Sequence, residues 1–527
     1  MLGGMQDFEL RVMRLLDHAA REHGSREIVS RWADGTETRT NWAGVAHDAR
    51  RLAQALERLG IKPGDRVATL AMNHARHLVA WYGVAGMGGI IHTINPRLFD
   101  DQLAFIANHA EDRVLLYDRA FAPLVEKMKP QWTTIEHYVC FDDGSFDALL
   151  APESGDYAWV EGSEREPCML CYTSGTTGNP KGVLYTHRST VIHAITELQP
   201  AEFDLSTQSV AMPIVPMFHA VGWGLPWAGA AVGLKFVFSA VNEPKVLCEL
   251  MNREKVTHSA GVPTVWFGMF QYMDATGEAP QHLKIVTIGG SAAPRAMIER
   301  LMKMGIRVNH AWGMTETSPI GTMGAPSPDW DELSFDAQVD QVSKQGKVPF
   351  GVELRTVDDE GRMLPRDGKS AGRLQVRGPW VVRQYFGDPN PAVDADNWFD
   401  TGDVAVLHAD GTMQITDRAK DVIKSGGEWI SSVELENVSV GCDGVAEAAA
   451  IGVHHPRWEE RPILLVVRKS GSDVTPEAIR AHLEKHVAKW WLPDEIHFVE
   501  SLPHTATGKL LKTAIREQYK DFKLAAA

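Results

Sequence analysis

The sequence predicts an α/β protein with a smaller α+β unit following it, and three observations support this. Strand and helix signals alternate through the first third. The texture changes to short strands and turns from Phe350. A new strand–helix pattern begins after Arg418.

Asn41 is placed to cap a helix whose apolar face is Trp42, Val45, Ala49, Leu52, Leu56 and Leu59, a 3.6-residue period closed by Gly60. Pro63-Gly64-Asp65 makes a turn. Arg66 to Met72 then reads as a buried strand, His74 to Ala85 as a helix and Ile90 to Asn95 as another strand. That succession implies parallel pairing through a right-handed crossover. Leu283 to Ile288, followed by Gly289-Gly290-Ser291, repeats the strand-then-loop theme. In such folds ligands sit beyond the carboxyl ends of the strands. From Phe350 the short strands read as an antiparallel sheet or a small β-barrel-like part attached to the α/β body. After Arg418, strands around Ala448 to Val453 and Pro462 to Val467 precede a helix capped by Thr475, with Pro476 in its first turn and its end before Pro493.

A chain of 527 residues is too long for one hydrophobic core. Its 44% hydrophobic and 23% charged residues describe an ordinary globular protein. The net charge of −15 argues against wrapping a nucleic acid, although local cations and backbone N–H groups still suit a nucleotide. Met1 to Gly24 carries charges throughout and has no apolar segment of the kind a signal peptide needs. The uncharged stretch Ser209 to Leu234 contains Pro213, Pro216, Pro226 and four glycines, so it reads as buried core and pocket wall instead of a membrane span. Five scattered cysteines form no disulfide framework, which suits a reducing compartment, and a cytoplasmic protein is expected. Cys168 and Cys171 form a C-x-x-C without a second pair, and they read as two small buried side chains on a strand.

The strongest local signal is Tyr172-Thr173-Ser174-Gly175-Thr176-Thr177-Gly178-Asn179-Pro180-Lys181-Gly182. Glycines let backbone N–H groups close on phosphate oxygens, hydroxyls add donors, and lysine neutralises charge. It is not a Walker A loop, because Gly178 and Lys181 are not adjacent and Gly182 follows the lysine. Alone, such a segment also fits a hydroxyl-rich surface turn.

Five further segments follow in order: Met217-Phe218-His219-Ala220, Trp312-Gly313-Met314-Thr315-Glu316, Phe399-Asp400-Thr401-Gly402-Asp403, Asp417 to Asp421 with Ile423 to Gly427, and Pro503 to Lys509. With the loop they resemble the ordered motifs of the acyl-adenylate-forming superfamily: acyl-CoA synthetases, luciferases and the adenylation domains of peptide synthetases. The resemblance covers essentially the whole chain. It implies a ligase that adenylates a carboxylic acid with ATP and passes the acyl group to coenzyme A. It also implies a large domain over residues 1–419 and a small mobile domain over 420–527, with the hinge at Lys420, where many relatives carry Asp.

The same resemblance assigns roles. Thr173, Ser174, Gly175, Thr176, Thr177, Gly178 and Lys181 would hold the phosphates. Thr315 would bond the α-phosphate, Glu316 would hold Mg²⁺, and Lys509 would be the lysine of the first half-reaction. Gly290, Ser291, Trp312 and Gly313 would receive adenine, and Asp403 with Arg418 the ribose. His219, which alone would read as a core histidine, is placed beside the acyl carboxylate, with Trp223 and Gly290 in the acyl pocket. Gly426, Gly427 and Trp429 would line the CoA channel after the small domain rotates, since glycines leave room for a narrow pantetheine arm.

An adenylation module loading a carrier protein and a catalytically silent relative are the alternatives. The absence of a carrier segment after Lys509 weighs against the first, and the intact Glu316 and Lys509 weigh against the second. The segments SGGEWISSVELEN and FHAVGW look most like the medium/long-chain fatty acyl-CoA synthetase branch. Within it they resemble the bacterial ligases for 3-methylthiopropionate, an acid of dimethylsulfoniopropionate breakdown. A short- or medium-chain fatty acid is the alternative substrate. The branch implies a homodimer.

Overall fold

The computed structural model describes residues 3–173, 179–426, 428–504, 510–520, 522 and 524. Two α/β sheets form its body. The first holds, in spatial order, His137–Cys140, Asp112–Tyr117, Arg66–Leu70, Ile90–Thr93, Pro167–Tyr172 and Gly182–Thr186. The second holds Ile320–Met323, Arg307–Gly313, Ile285–Ile288, His258–Gly261, Val210–Pro213, Lys235–Ser239, Glu27–Arg31 and Glu37–Asn41.

The expected crossover is present. Arg66–Leu70 pairs in parallel with Ile90–Thr93, and the helix Ala75–Gly86 joins them. His74 caps that helix, its Nδ1 accepting the His77 N–H at 2.9 Å. Asn41 caps the helix Trp42–Arg58 through the Gly44 N–H at 2.9 Å. The buried face of Trp42–Arg58 bridges the two sheets, and the Trp42 indole N–H donates to the Leu234 carbonyl at 3.0 Å. One hydrophobic cluster runs from Val67 and Ile91 of the first sheet through Ile28, Phe236 and Ala260 of the second.

The stretch after Phe350 forms an antiparallel sheet, Glu353–Val357, Gly372–Arg377, Phe399–Leu407 and Met413–Arg418. Of the two forms left open by the sequence, it is thus the sheet. Leu354, Leu374 and Ala405 join it to the main core. The C-terminal unit is built on Glu428–Ile430, Ile423–Ser425, Glu459–Arg468 and Val445–His455, with Glu495–Phe498 parallel to Glu459–Arg468. Separate apolar clusters cover this sheet, one through Ile479 and Leu483 and one through Leu502 and Ile515. Thr475 caps Pro476–Leu483 as expected. Among the described residues, no helix is long and apolar enough to cross a membrane.

The end of the helix His187–Glu197 and the turn after it bury two carboxyl groups, those of Glu197 and Glu202. Burial raises both, that of Glu202 to about 8. A carboxyl raised above its unfolded value favours the protonated fold. Its contribution is therefore complete below the unfolded pKa and is lost as pH rises through about 8. Glu202→Gln is expected to shorten the fall in Tm between about pH 6 and pH 9 by roughly 2–4 °C. Scanning calorimetry of the two proteins would settle it, and parallel curves would contradict it.

Candidate active site

The site forms where four strands end. Pro167–Tyr172 leads to Thr173, Val210–Pro213 to His219, Ile285–Ile288 to Gly289 and Gly290, and Arg307–Gly313 ends in Trp312 and Gly313. Together they line a cavity of about 260 Å³, completed by Ala220, Trp223, Thr315, Glu316, Ile320 and Arg418. A second cavity of about 160 Å³ shares Gly290, Trp312, Gly313 and Arg418 with it and adds Ser291, Asp403, Gln345 and Ile415. The arrangement gives two compartments with a common wall, the first holding Glu316 and the second Asp403.

Asp403 organises that wall. It is buried on the strand Phe399–Leu407, directly opposite Arg418 in the sheet register. One carboxylate oxygen accepts the Trp312 indole N–H at 2.8 Å, and the other lies 3.2 Å from the Arg418 Nε. The remaining lone pairs can accept two vicinal hydroxyls. The Trp312 ring packs closely on Gly321, where a Cβ would come within 2.2 Å of it.

Glu316 sits buried in a short 3₁₀ turn, Thr315–Thr317. Its Oε1 accepts the Tyr385 hydroxyl at 2.8 Å, and the Tyr185 hydroxyl donates to the Thr315 carbonyl at 2.5 Å. Burial raises the Glu316 carboxyl above its ordinary value, against the Tyr385 bond and the charges of Arg418 and Lys181. The Lys181 ammonium lies 4.7 Å from the centre of the Tyr385 ring, so lysine, tyrosine and glutamate form one line. Among the described residues, no three His, Cys, Asp or Glu side chains cluster as a metal cage. A single buried carboxylate near Arg418 and Lys181 suits a magnesium ion that would take its other ligands from triphosphate and water, so Glu316 fits that ion.

The stem of the Gly/Thr-rich motif is an antiparallel pair, Pro167–Tyr172 with Gly182–Thr186. The Thr173 N–H donates to the Lys181 carbonyl at 2.9 Å, and the Lys181 N–H donates to the Thr173 hydroxyl at 3.1 Å. Cys168 and Cys171 are both buried on this stem, and burial pushes their thiols up to about 12 and about 11. They are the inert pair expected of them.

The Trp223 side of the first cavity carries an unusual backbone. Ala220, Val221, Gly222, Trp223 and Gly224 have φ values of 33°, 25°, 59°, 53° and 73°. Left-handed backbone at Val221 and Trp223 is costly, on the order of 1–2 kcal/mol each. The surrounding packing holds this turn, which lays the Trp223 indole against Gly289 and Gly290. A Cβ on Gly289 would lie 3.2 Å from the indole.

Thr173, His219, Trp223, Gly290, Trp312, Gly313, Thr315, Glu316 and Arg418 thus converge on the first cavity, and Ser291 and Asp403 on the second. Lys181 approaches through Tyr385. Lys420, Gly426 and Trp429 line neither cavity, and Gly426 lies beneath the Trp458 ring. Ser174, Gly175, Thr176, Thr177, Gly178, Gly427 and Lys509 lie outside the described residues. Sequence reading missed Tyr385, Tyr185 and Phe203. Tyr185, three positions past Gly182, was the easiest to find, as a residue of the strand leaving the motif.

Known proteins resemble this chain over nearly its whole length. Residues 16–386 match the family described as AMP-binding enzyme, and residues 434–509 match the AMP-binding enzyme C-terminal domain. The 3-methylmercaptopropionyl-CoA ligase of Ruegeria pomeroyi is 46% identical over 99% of this chain and 99% of its own. The medium-chain-fatty-acid–CoA ligase of Ectopseudomonas oleovorans is 43% identical over 100% and 99%. Among solved structures, ATP-bound MatB from Rhodopseudomonas palustris superposes with a TM-score of 0.81 at 25% identity, covering 98% of this chain and 99% of that one.

Proposed function

The chain belongs to the AMP-binding enzyme family and is an acid–thiol ligase using ATP and coenzyme A, and we propose that its acid is 3-methylthiopropionate. The observation that carries this reading is the compact, Trp223-walled acyl side of the cavity, together with the likeness to the Ruegeria ligase. A place in dimethylsulfoniopropionate breakdown follows from that substrate. A medium-chain fatty acid is the second reading, favoured by the Ectopseudomonas ligase at 43% identity.

In the proposed reaction, a carboxylate oxygen of the acid attacks the α-phosphorus of ATP, the bond to the β-phosphate oxygen breaks, and pyrophosphate leaves. The CoA sulfur then attacks the acyl carbon, and AMP leaves with the former carboxylate oxygen. Thr173 and Lys181, with Ser174 to Gly178, receive the phosphates. Asp403 and Arg418 fix the ribose, Trp312 and Gly290-Ser291 flank adenine, and Thr315 meets the α-phosphate. His219 bonds the acid carboxylate and holds it in line for attack. Glu316 would hold Mg²⁺, which supplies neutralisation of phosphate charge when bound. Lys509 supplies the second positive charge in the first step.

The large domain is taken as 1–419 and the small one as 420–527. Rotation about Lys420 would have to release Ser432, whose N–H and hydroxyl both donate to the Asp417 carboxylate at 2.6 Å. After rotation, Gly426, Gly427 and Trp429 would face the cavity. A cytoplasmic homodimer completes the reading.

Trp223→Ala tests the acyl-side assignment. Removing the indole opens room that apolar chains can fill, so preference shifts toward longer acids, by about fourfold in kcat/KM for each methylene newly buried. The thioether sulfur is close in size to a methylene, so wild-type enzyme should prefer 3-methylthiopropionate over pentanoate by only about tenfold. The check is kcat/KM across C3 to C10 acids plus 3-methylthiopropionate. A wild type that prefers long chains would leave the medium-chain reading standing instead.

A further inference from the structure

The acyl side of the cavity does not end at solid core. Near it lies a separate small void of about 10 Å³, room for about one water molecule. Phe203 lines both spaces. The two lie on one face of the second sheet, because side chains alternate along a strand. Gly289 lines the main cavity, and two residues back Thr287 lines the void beside Ala260, its partner in the parallel register. Apolar residues, among them Leu205, Leu225 and Ile285, form most of the void's wall, with His258 and Ser259 at its polar part. Thr287, 1% exposed, lines it, and its hydroxyl has no hydrogen-bond partner among the described residues.

The backbone that carries Phe203 is fixed from two sides. Its N–H donates to the Glu197 carbonyl at 3.1 Å, and the preceding carbonyl, of Glu202, accepts the Asn309 side-chain amide at 2.6 Å. Neither bond uses the Phe203 side chain. The ring is therefore a removable wall on a backbone that other contacts hold.

We propose that Phe203 is the partition that sets the depth of the acyl pocket, and that the void it shares is an extension able to take the tail of a longer carboxylic acid toward Thr287. This rests on the proposed role of the main cavity as the acyl site. A small acid ends above the ring. A chain two or more carbons longer needs the space the ring occupies, and its terminal carbons would then meet an unpartnered hydroxyl.

The test uses the full-length enzyme with ATP and CoA and measures kcat/KM for C4 to C10 acids in wild type, Phe203→Ala and Phe203→Leu. The ratio of Phe203→Ala to wild type is expected to climb about fourfold per added methylene over the first two or three carbons beyond the wild-type optimum. Phe203→Leu should follow the same trend less steeply, and it serves if the alanine variant fails to fold. Thr287→Val should favour long acids further in the Phe203→Ala background, because no hydroxyl is then left facing a methyl group, and should leave small acids unchanged in wild type. A ratio flat with chain length in a variant of normal melting temperature would overturn the partition. The two readings fail separately. A wild type preferring octanoate to 3-methylthiopropionate removes the substrate assignment, while a rising variant-to-wild-type ratio still supports Phe203 as the wall.

Discussion

Lys509→Ala is expected to slow acyl-adenylate formation by about 10²–10³-fold or more, while thioester formation from supplied acyl-adenylate stays within a few-fold of wild type. The first step brings a carboxylate against a triphosphate, and the repulsion must be neutralised where charge moves in the transition state. The second step begins after pyrophosphate has left, with a neutral thioester forming. A lysine serving only the first step therefore separates the two rates, and rapid-quench measurement of each half-reaction reads them independently. Equal loss in both would contradict the alternation of the small domain and make Lys509 a general binding residue.

Glu316→Gln is expected to raise the magnesium concentration needed for half-maximal adenylation by at least about tenfold, with little change in the KM for CoA. The amide keeps one oxygen but loses the charge that anchors a hard cation. It also keeps the size of the side chain, so Tyr385 retains an acceptor at the same place. A pH signature accompanies this. The buried carboxyl has its pKa raised, so the protein alone holds the proton to higher pH than an exposed glutamate would, and metal binding must displace it. The magnesium requirement of wild type should rise as pH falls toward that raised value, and the requirement of Glu316→Gln should not. Titration of magnesium at fixed ATP and several pH values checks both. An unchanged metal dependence would mean that Glu316 serves only to hold Tyr385 in place.

Much of the site was legible because its residues sit in short motifs whose chemistry is local. Thr315 and Glu316 are adjacent, and Gly289-Gly290-Ser291 directly follow their strand. The helix at Trp42 was legible for a different reason: its 3.6-residue period and its Asn41 cap are both written within one segment. What stayed hidden depends on contacts distant in sequence. Tyr385 reaches Glu316 across 69 positions from a loop with no periodic signal. The parallel pairing of Glu27–Arg31 with Lys235–Ser239 joins segments some two hundred residues apart, and neither strand names its partner. The left-handed turn at Val221 and Trp223 was hidden because those residue types argue against it. Only the packing of the indole on Gly289 and Gly290 gives a reason for it. Phe203 belongs to no motif, and only the fold brings it to the wall of two cavities.

The central claim is that this chain activates a small acid through an adenylate before CoA takes part. Isotope exchange between pyrophosphate and ATP, followed without CoA, tests it most directly. Exchange is expected to require an acid, to be faster with 3-methylthiopropionate than with octanoate, and to be joined by AMP and thioester release once CoA is added. Formation of ADP and phosphate, or exchange that proceeds equally well without any acid, would contradict it.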